Sequence, residues 1–321
     1  MKAKPKAAAP EERHYFKEVR FRQIRALVET ARCGSFAEAS RQLGMATPSV
    51  WRQVRALEEE YGVSLVVARG QELHLTGDGE LLADLAGPIV EGFDSLRRVF
   101  ADRQGKTERI LRVAAPATVL NSSLREPVAD YQRTFPNVRL SLIDAPSRDA
   151  FALLAEDRAD LAIIGQPEGM EIPARFEAVA LARFAFQAVC LATNPFASIR
   201  KPALRDLLRQ PLILAGEASS SRMQFDHLVA KAGLADRVNI CLTANNLALI
   251  LNYVAIGMGV ALITRPAREA TPIPPELEQQ LVFRDLSHIL GHEQVVLLHP
   301  RGRHELSHVR AFRERVVEEL G

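Results

Sequence analysis

Residues 21–62 read FRQIRALVETARCGSFAEASRQLGMATPSVWRQVRALEEEYG, and their punctuation decides the fold. Phe21, Ile24, Leu27, Val28 and Ala31 recur at helical spacing, and Gly34 can take the left-handed conformation that closes a helix. Ser35 with Glu38 three residues on has the capping-box pattern, in which hydroxyl and carboxylate each satisfy an orphan backbone amide. A second helix, with Ala39 and Leu43 inward, then ends at Gly44. Thr47 as N-cap and Pro48 at the first helical position open a third. So short a connection forces the steep crossing of a helix-turn-helix, whose last helix protrudes far enough to enter a major groove.

On that helix Val50, Val54 and Leu57 form a buried stripe and leave Ser49, Arg52, Gln53 and Arg55 on or near the surface. Arg52 and Gln53 are side chains that bind base edges in bidentate fashion. Ser35, Thr47 and Ser49 lie near helix N-termini, where amides and hydroxyls favour phosphate. Exposed arginines on helix pairs also occur in proteins that never meet DNA, so the residues after Gly62 carry weight. Leu65-Val66-Val67 and Leu73-His74-Leu75 flank Arg69-Gly70-Gln71, which reads as a β-hairpin with a basic tip, the wing of a winged helix. Arg69 would lie against a phosphate backbone or in the minor groove, or else be an ordinary solvated turn residue.

Charge divides the same way. The first 70 residues hold 13 Lys and Arg against 8 Asp and Glu, a net of +5; the other 251 hold 28 against 31, a net of −3. Nucleic acid is thereby directed to the N-terminal unit alone. Thr76 is placed to cap a long helix with Leu81, Leu85, Ile89, Phe93, Leu96 and Phe100 in one seam. Such a seam asks for a partner, either the same helix of a second subunit in a two-fold dimer or this chain's own core. Gly87-Pro88 is expected to interrupt and bend the helix.

From about residue 107 the pattern changes. Ile110–Ala114, Val138–Leu142 and Leu161–Ile164 are short buried-strand runs, separated by a helix through Leu124, Val128 and Tyr131 and by another before the third run. Ala185–Ala192, Leu212–Ala215, Arg237–Leu242 and Val260–Ile263 repeat the alternation. Strands alternating with helices predict parallel sheets in two α/β lobes. Open parallel sheets bind ligands at strand carboxyl ends beside helix N-termini. That places candidate ligand contacts at Pro116, Thr118, Asn121, Ser122 and Ser123, at Ser219, Ser220, Ser221 and Arg222, and at Gln166 after Gly165. Donors of this kind suit a small anion, although each is also an ordinary cap or turn residue.

The order of capped helices, basic wing, Leu75-Thr76-Gly77-Asp78-Gly79 and linker helix resembles the LysR-type transcriptional regulators. The residues that carry the resemblance are Gly34-Ser35-Phe36, Ala39-Ser40-Arg41-Gln42-Leu43, Thr47-Pro48-Ser49-Val50, Gln53 through Glu58, Gly62 and Leu75-Thr76. Later points of similarity are Phe135-Pro136-Asn137-Val138, Ala159 through Ile163 and Val254 through Leu262, so the resemblance spans roughly 19–300. Two positions depart from the pattern: Trp51 stands where the family usually has serine, and Val66 where the wing usually carries phenylalanine. Trp51, the only tryptophan, is suited to contact a thymine methyl or the sugar-phosphate edge, or to pack on a neighbouring helix. The candidate nucleic-acid contacts are then Ser35, Thr47, Pro48, Ser49, Trp51, Arg52, Gln53, Arg55 and Arg69.

One motif points elsewhere. His304-Glu305-Leu306-Ser307-His308 satisfies H-E-x-x-H, the spacing with which two histidines hold zinc and a glutamate activates water. The apolar stripe of the last helix is Leu306, Val309, Phe312, Val316 and Leu320, which turns both histidines toward solvent. No later residue completes a longer zinc-peptidase pattern. Cys33, Cys190 and Cys241 have no metal-type spacing, and their odd number fits reduced thiols in a cytosolic protein. No apolar run approaches the roughly 20 residues that span a membrane.

The expectation is therefore a non-enzymatic, cytoplasmic regulator without a cofactor or metal. Residues 1–18 are a disordered basic tail, 19–76 a winged helix-turn-helix and 77–106 a linker and dimerisation helix. Residues 107–321 are a two-lobed, periplasmic-binding-protein-like α/β effector domain, with lobe I about 107–182 and 268–321 and lobe II about 183–267. The resemblance implies promoter DNA, a small and anionic co-inducer, a second copy in a homodimer or homotetramer, and RNA polymerase as partners. The competing readings are a two-lobe binding protein without regulatory DNA binding and a zinc hydrolase through His304, Glu305 and His308.

Overall fold

Helices α1 (Phe21–Cys33), α2 (Phe36–Leu43) and α3 (Thr47–Tyr61) are followed by a hairpin of β1 (Val66–Arg69) and β2 (Glu72–Leu75) and by the long α4 (Gly77–Arg103). These come from a computed structural model that describes residues 19–69, 72–104, 109–167, 169–266 and 273–321. The tail expected over 1–18 lies outside them. The chain divides into two units, one ending at Asp94 and one beginning at Ser95, a boundary inside α4.

In the first unit Gly34 and Gly44 close α1 and α2 at φ of 66° and 62°, where a Cβ would be strained. The Ser35 hydroxyl accepts the Glu38 amide at 3.0 Å, whereas the Glu38 carboxylate pairs with Arg41 at 2.6 Å instead of returning to the backbone. The N-cap of α3 is Ala46, not Thr47, and Pro48 sits in its first turn, where an absent amide proton costs nothing. The Thr47 hydroxyl lies 3.0 Å from Ser40 Oγ instead, which ties α3 to α2. Leu27, Val50, Val54, Leu57 and Leu65 are fully buried among these elements. Full burial of each stabilises the fold by roughly 1.5–3 kcal/mol before chain entropy is charged.

Thr76 serves two elements. Its Oγ1 accepts the Gly79 amide at 3.0 Å, capping α4, and donates to the Ser64 carbonyl at 2.6 Å, closing the base of the wing. Beyond it α4 runs unbroken through Pro88, contrary to the interruption expected at Gly87-Pro88. A proline removes one helical hydrogen bond, and here packing holds the helix on both sides of it. Ala86 and Val90 pack on Val28, while Arg32 pairs with Glu91, Arg25 with Asp94, and Phe93 meets the Phe21 ring.

The second unit continues with β3 (Ile110–Ala115), α5 (Ala117–Asn121), α6 (Arg125–Thr134), β4 (Arg139–Asp144), α7 (Ser147–Ala155), β5 (Leu161–Gln166) and β6 (Phe176–Leu191). It proceeds through α8 (Leu204–Leu207), β7 (Leu212–Leu214), α9 (Ser220–Lys231), β8 (Ile240–Thr243), α10 (Leu247–Ala255) and β9 (Val260–Pro266). The chain ends with α11 (Pro275–Glu278), β10 (Leu281–Asp285), α12 (Ser287–Leu290), β11 (His292–Pro300) and α13 (Ser307–Leu320).

The sheet order is β4-β3-β5-β11-β6-β9-β7-β8, with β10 also on β6. Each end is parallel, as the alternation predicts: β4, β3 and β5 in one lobe, β8, β7 and β9 in the other. The centre is antiparallel. The strand expected at Ala185 begins nine residues earlier, so that the first half of β6 pairs with β11 and the second half with β9 and β10. The strand expected at Arg237 starts only at Ile240, because residues 235–237 form a short 3-10 turn. Residues 273–290 stay with the second lobe, where Leu286 and Leu290 enter its core, and the chain returns to the first lobe at β11 rather than near 268.

Each lobe has a core on both faces of its sheet. In the first, Leu111, Val113, Tyr131 and Phe312 pack under α6 and α13, and Ala150, Leu154 and Ile164 under α7. In the second, Phe225 and Val229 of α9 cover one face, and Ile250, Leu251 and Val254 of α10 the other. The carboxyl ends of β3, β4 and β5 therefore open beside the starts of α5 and α7. Those of β7 and β8 open beside the starts of α9 and α10.

Candidate nucleic-acid interface and ligand cleft

The outward face of α3 carries Pro48, Trp51, Arg52 and Arg55 at helical spacing, all exposed, with Ser49 and Gln53 half-buried at its margin. Trp51 keeps 45 % of its surface exposed, which settles the choice between packing on a neighbouring helix and facing outward. Arg52 folds back on the first turn, its Nε 3.3 Å from the Pro48 carbonyl and its Nη2 3.3 Å from Ser49 Oγ. Arg55 stands over the Trp51 ring, 5.4 Å from its centroid, and donates from Nη1 to Glu58 Oε2 at 2.6 Å. Ser35 and Thr47 flank this face, although both hydroxyls already hold structural bonds. Arg69 ends β1 opposite Glu72; its side chain and the hairpin tip at 70–71 lie outside the described residues.

Farther along α4, Leu81, Leu85, Ile89, Phe93, Leu96 and Phe100 are each at least half exposed. Of the two partners the sequence allowed for this seam, the chain's own core leaves it at least half uncovered. Exposed aromatic and aliphatic side chains continuous over five turns are a surface suited to another macromolecule.

In the second unit a cleft lies between the lobes, walled by strand ends and helix starts from both. Five of the ten candidate ligand contacts line it: Pro116, Thr118, Ser219, Ser220 and Ser221. The other five do not. Ser122 Oγ turns back to the Thr118 carbonyl at 2.5 Å, Ser123 is buried, and Asn121 ends α5 on the exposed side. Gln166 donates to the Met170 carbonyl at 3.0 Å, and Arg222 pairs with Asp226 through Nε at 2.8 Å and reaches the Ala215 carbonyl.

The cleft adds residues that sequence reasoning missed: Asp144, Asn245, Thr264 and Glu293, with Phe184, Leu247 and Ile263 as apolar wall. Among the described residues, none that lines it is a lysine, arginine or histidine. Glu293 is fully buried on β11, and burial pushes its carboxyl above the ordinary range against the opposing hydrogen bonds from Ser220 and Thr264. Ser220 donates to it, Ser147 Oγ lies 2.9 Å from Ser220 Oγ, and the Gly165 amide donates to Ser147 Oγ at 3.1 Å. This chain of bonds joins β5 and α7 of one lobe to α9 of the other. Gly165 is required there, since a Cβ would fall within van der Waals contact of both Ser220 Oγ and Glu293. At the start of α9 the Ser219 side chain makes no cap bond, so the first amides of a twelve-residue helix face the cleft without a side-chain acceptor.

The H-E-x-x-H motif is put to structural use. Helix α13 begins only at Ser307, so His304 lies before it in chain without regular structure and the two histidines do not share adjacent helical turns. His308 is 2 % exposed, not solvent-facing: it stands four residues before Phe312, on the buried stripe. Its Nε2 lies 3.1 Å from the Ile110 carbonyl, and its own carbonyl accepts from the Tyr131 hydroxyl at 2.8 Å. Burial pushes that phenol up to about 12. The His304 amide donates to Ser95 Oγ at 3.1 Å, and Ser307 Oγ donates to Asp102 at 3.2 Å, fastening the end of α4 to the start of α13. Glu305 is held by two bonds from the Arg313 guanidinium at 2.9 Å. Among the described residues no three metal-ligating side chains come together.

Comparison with known proteins agrees with both halves. Residues 21–80 match the family described as bacterial regulatory helix-turn-helix protein, lysR family, and residues 104–321 match the LysR substrate binding domain. The chain is 28 % identical over 260 residues to the HTH-type transcriptional regulator CysB of Burkholderia cenocepacia, covering 80 % of each. It is 27 % identical over 296 residues to the HTH-type transcriptional regulator cbl of Escherichia coli K12, covering 92 % of this chain and 91 % of that one. Among solved structures, the cofactor-binding domain of the Cbl transcriptional regulator superposes with a TM-score of 0.57 at 26 % identity, over 67 % of this chain and 90 % of that one. A Corynebacterium glutamicum OxyR C206 mutant shares the fold over 96 % of this chain and 94 % of its own, with a TM-score of 0.53 at 19 % identity.

Proposed function

The chain belongs to the LysR family of transcriptional regulators, and from that premise we propose that it binds promoter DNA as a dimer through the outward stripe of α3, under control of a small anionic effector held between its lobes. The observation that carries the DNA half is the stripe itself: an exposed indole and two guanidinium groups on a helix anchored by Val50, Val54 and Leu57. Arg52 and Gln53 read bases, Ser35, Thr47, Pro48 and Ser49 meet phosphates and sugars, and Arg69 follows the backbone from the wing. Dimerisation runs along α4, whose exposed seam is long enough for a helix of a second copy.

The effector reading rests on the cleft. Free amides at the start of α9, with the Ser219, Ser220, Ser221 and Thr118 hydroxyls, suit an anionic group held by neutral dipoles. Burial pushes the Glu293 carboxyl upward, which lessens its opposition to such a group. Binding across the bonded lobes would shift their arrangement and with it the population of DNA-bound states. Among the described residues no helix is long and apolar enough to cross a membrane.

Genome-wide mapping of occupied DNA tests the reading. Wild-type protein is expected at discrete sites, and R52A and Q53A are expected to lose or redistribute them. Unchanged occupancy in both variants refutes the assigned contacts, and absence of wild-type occupancy refutes DNA binding.

A further inference from the structure

We propose that Glu58 is a positioning residue for base recognition, which holds Arg55 beside Trp51 and locks the wing to the same helix; this rests on the reading of α3 as the DNA-reading helix. Among the described residues up to Asp94, Glu58 is the one buried acidic side chain, at 7 % exposure. Its Oε1 accepts the amides of Leu65 and Val66 at 2.8 and 3.2 Å, where β1 begins, and its Oε2 accepts Arg55 Nη1 at 2.6 Å. A carboxylate is tolerated in such a place only when its oxygens are saturated, and here they are.

The consequence lies with Arg55. Its guanidinium is held between the indole of Trp51, 5.4 Å away, and the carboxylate of Glu58, and among the described residues Nη1 alone of its nitrogens makes a hydrogen bond. The Nε–Nη2 edge remains open on the exposed stripe, with rotamer freedom reduced before DNA arrives. A planar fork of that kind matches the N7 and O6 acceptors of guanine, and the exposed indole matches a thymine methyl. Trp51 and Arg55 stand one helical turn apart, so the target is a guanine and a nearby thymine in one major groove. Because the start of β1 hangs from the same carboxylate, the wing meets the flanking backbone in fixed register with that groove.

The test uses the full-length protein and duplexes recovered from a random pool by in vitro selection with the wild type. E58Q keeps the oxygen that accepts both wing amides and turns an NH2 group toward Arg55, so the pairing with Arg55 is lost while the fold is retained. E58Q and R55A are expected to lower the preference for the same guanine by about fivefold or more, with no further loss in the double variant. R55K keeps the charge but not the fork, and is expected to lose the same preference. Should E58Q weaken all duplexes equally, leave the base profile unchanged, or add its effect to that of R55A, the proposal is overturned. If E58Q fails to fold by circular dichroism, R55K decides, because an intact profile in R55K also overturns it. R52A and Q53A separate the outcomes: loss of preference at their own positions with R55A unaltered sinks only the role of Glu58, whereas wild-type binding by all three sinks the reading of α3.

Discussion

Replacing Leu85 and Ile89 together by alanine removes the middle of the α4 seam while keeping residues that favour helix. In the single chain these side chains are 65 % and 59 % exposed, so a partner helix has well over half of each left to cover. A buried methylene is worth about 0.8 kcal/mol, and each substitution removes about three carbons. With roughly three-fifths of that surface newly covered in a dimer, each side chain contributes about 1.5 kcal/mol. A two-fold interface holds four of them, about 6 kcal/mol, and the dimer should weaken about 10⁴-fold. Sedimentation equilibrium over a dilution series measures this directly, with circular dichroism to confirm an intact monomer fold. A double variant with the wild-type dissociation constant would show that the seam is not the interface.

Three further expectations concern the second unit. Glu293 is raised in the folded chain above its ordinary 4.5, so its contribution to stability is present below that value and is lost as pH rises through the folded value. Thermal melts from pH 4 to 8 should therefore show a loss of stability with rising pH that E293Q lacks; parallel curves would exclude it. G165A forces a Cβ against Ser220 and Glu293 and is expected to cost about 1–3 kcal/mol in urea unfolding, with an unchanged midpoint counting against the close approach. Zinc should neither bind stoichiometrically nor raise the melting temperature, in wild type or in H304A. A stoichiometric metal lost in H304A would restore the hydrolase reading.

The winged helix was legible because its signals are local. Gly34, Ser35, Gly44 and Pro48 punctuate the helices within a few residues of where they act, and the stripe of Val50, Val54 and Leu57 is a single-period pattern. The centre of the large sheet was not legible. The first half of β6 and all of β10 and β11 are fixed by antiparallel partners up to a hundred or more residues away, as Gln294 opposite Arg183 illustrates, and no local period distinguishes them. The cleft divides on the same ground. Ser219, Ser220 and Ser221 follow a strand and begin a helix, so the switch-point rule finds them. Asn121, Ser122 and Ser123 lie in an equally suitable stretch, but the short α5 carries them past the opening. Glu293 reads as part of the polar His292-Glu293-Gln294 opening of a strand, and only the approach of Ser220 and Gly165 from both lobes makes it part of a site. His308 was not legible as a core residue because the stripe counts apolar side chains alone, whereas His308 stands one turn before Phe312 and is buried beside it with its ring nitrogen bonded to the Ile110 carbonyl.

Dimethyl sulfate protection of guanine N7, which lies in the major groove, on a duplex selected by the wild-type protein tests dimeric recognition through α3 most directly. Two protected major-groove patches are expected, related by a two-fold axis and separated by about 10 base pairs or a multiple of that. R52A should remove protection from both patches alike. A single unpaired patch, or protection that R52A leaves intact, would contradict recognition by paired α3 helices.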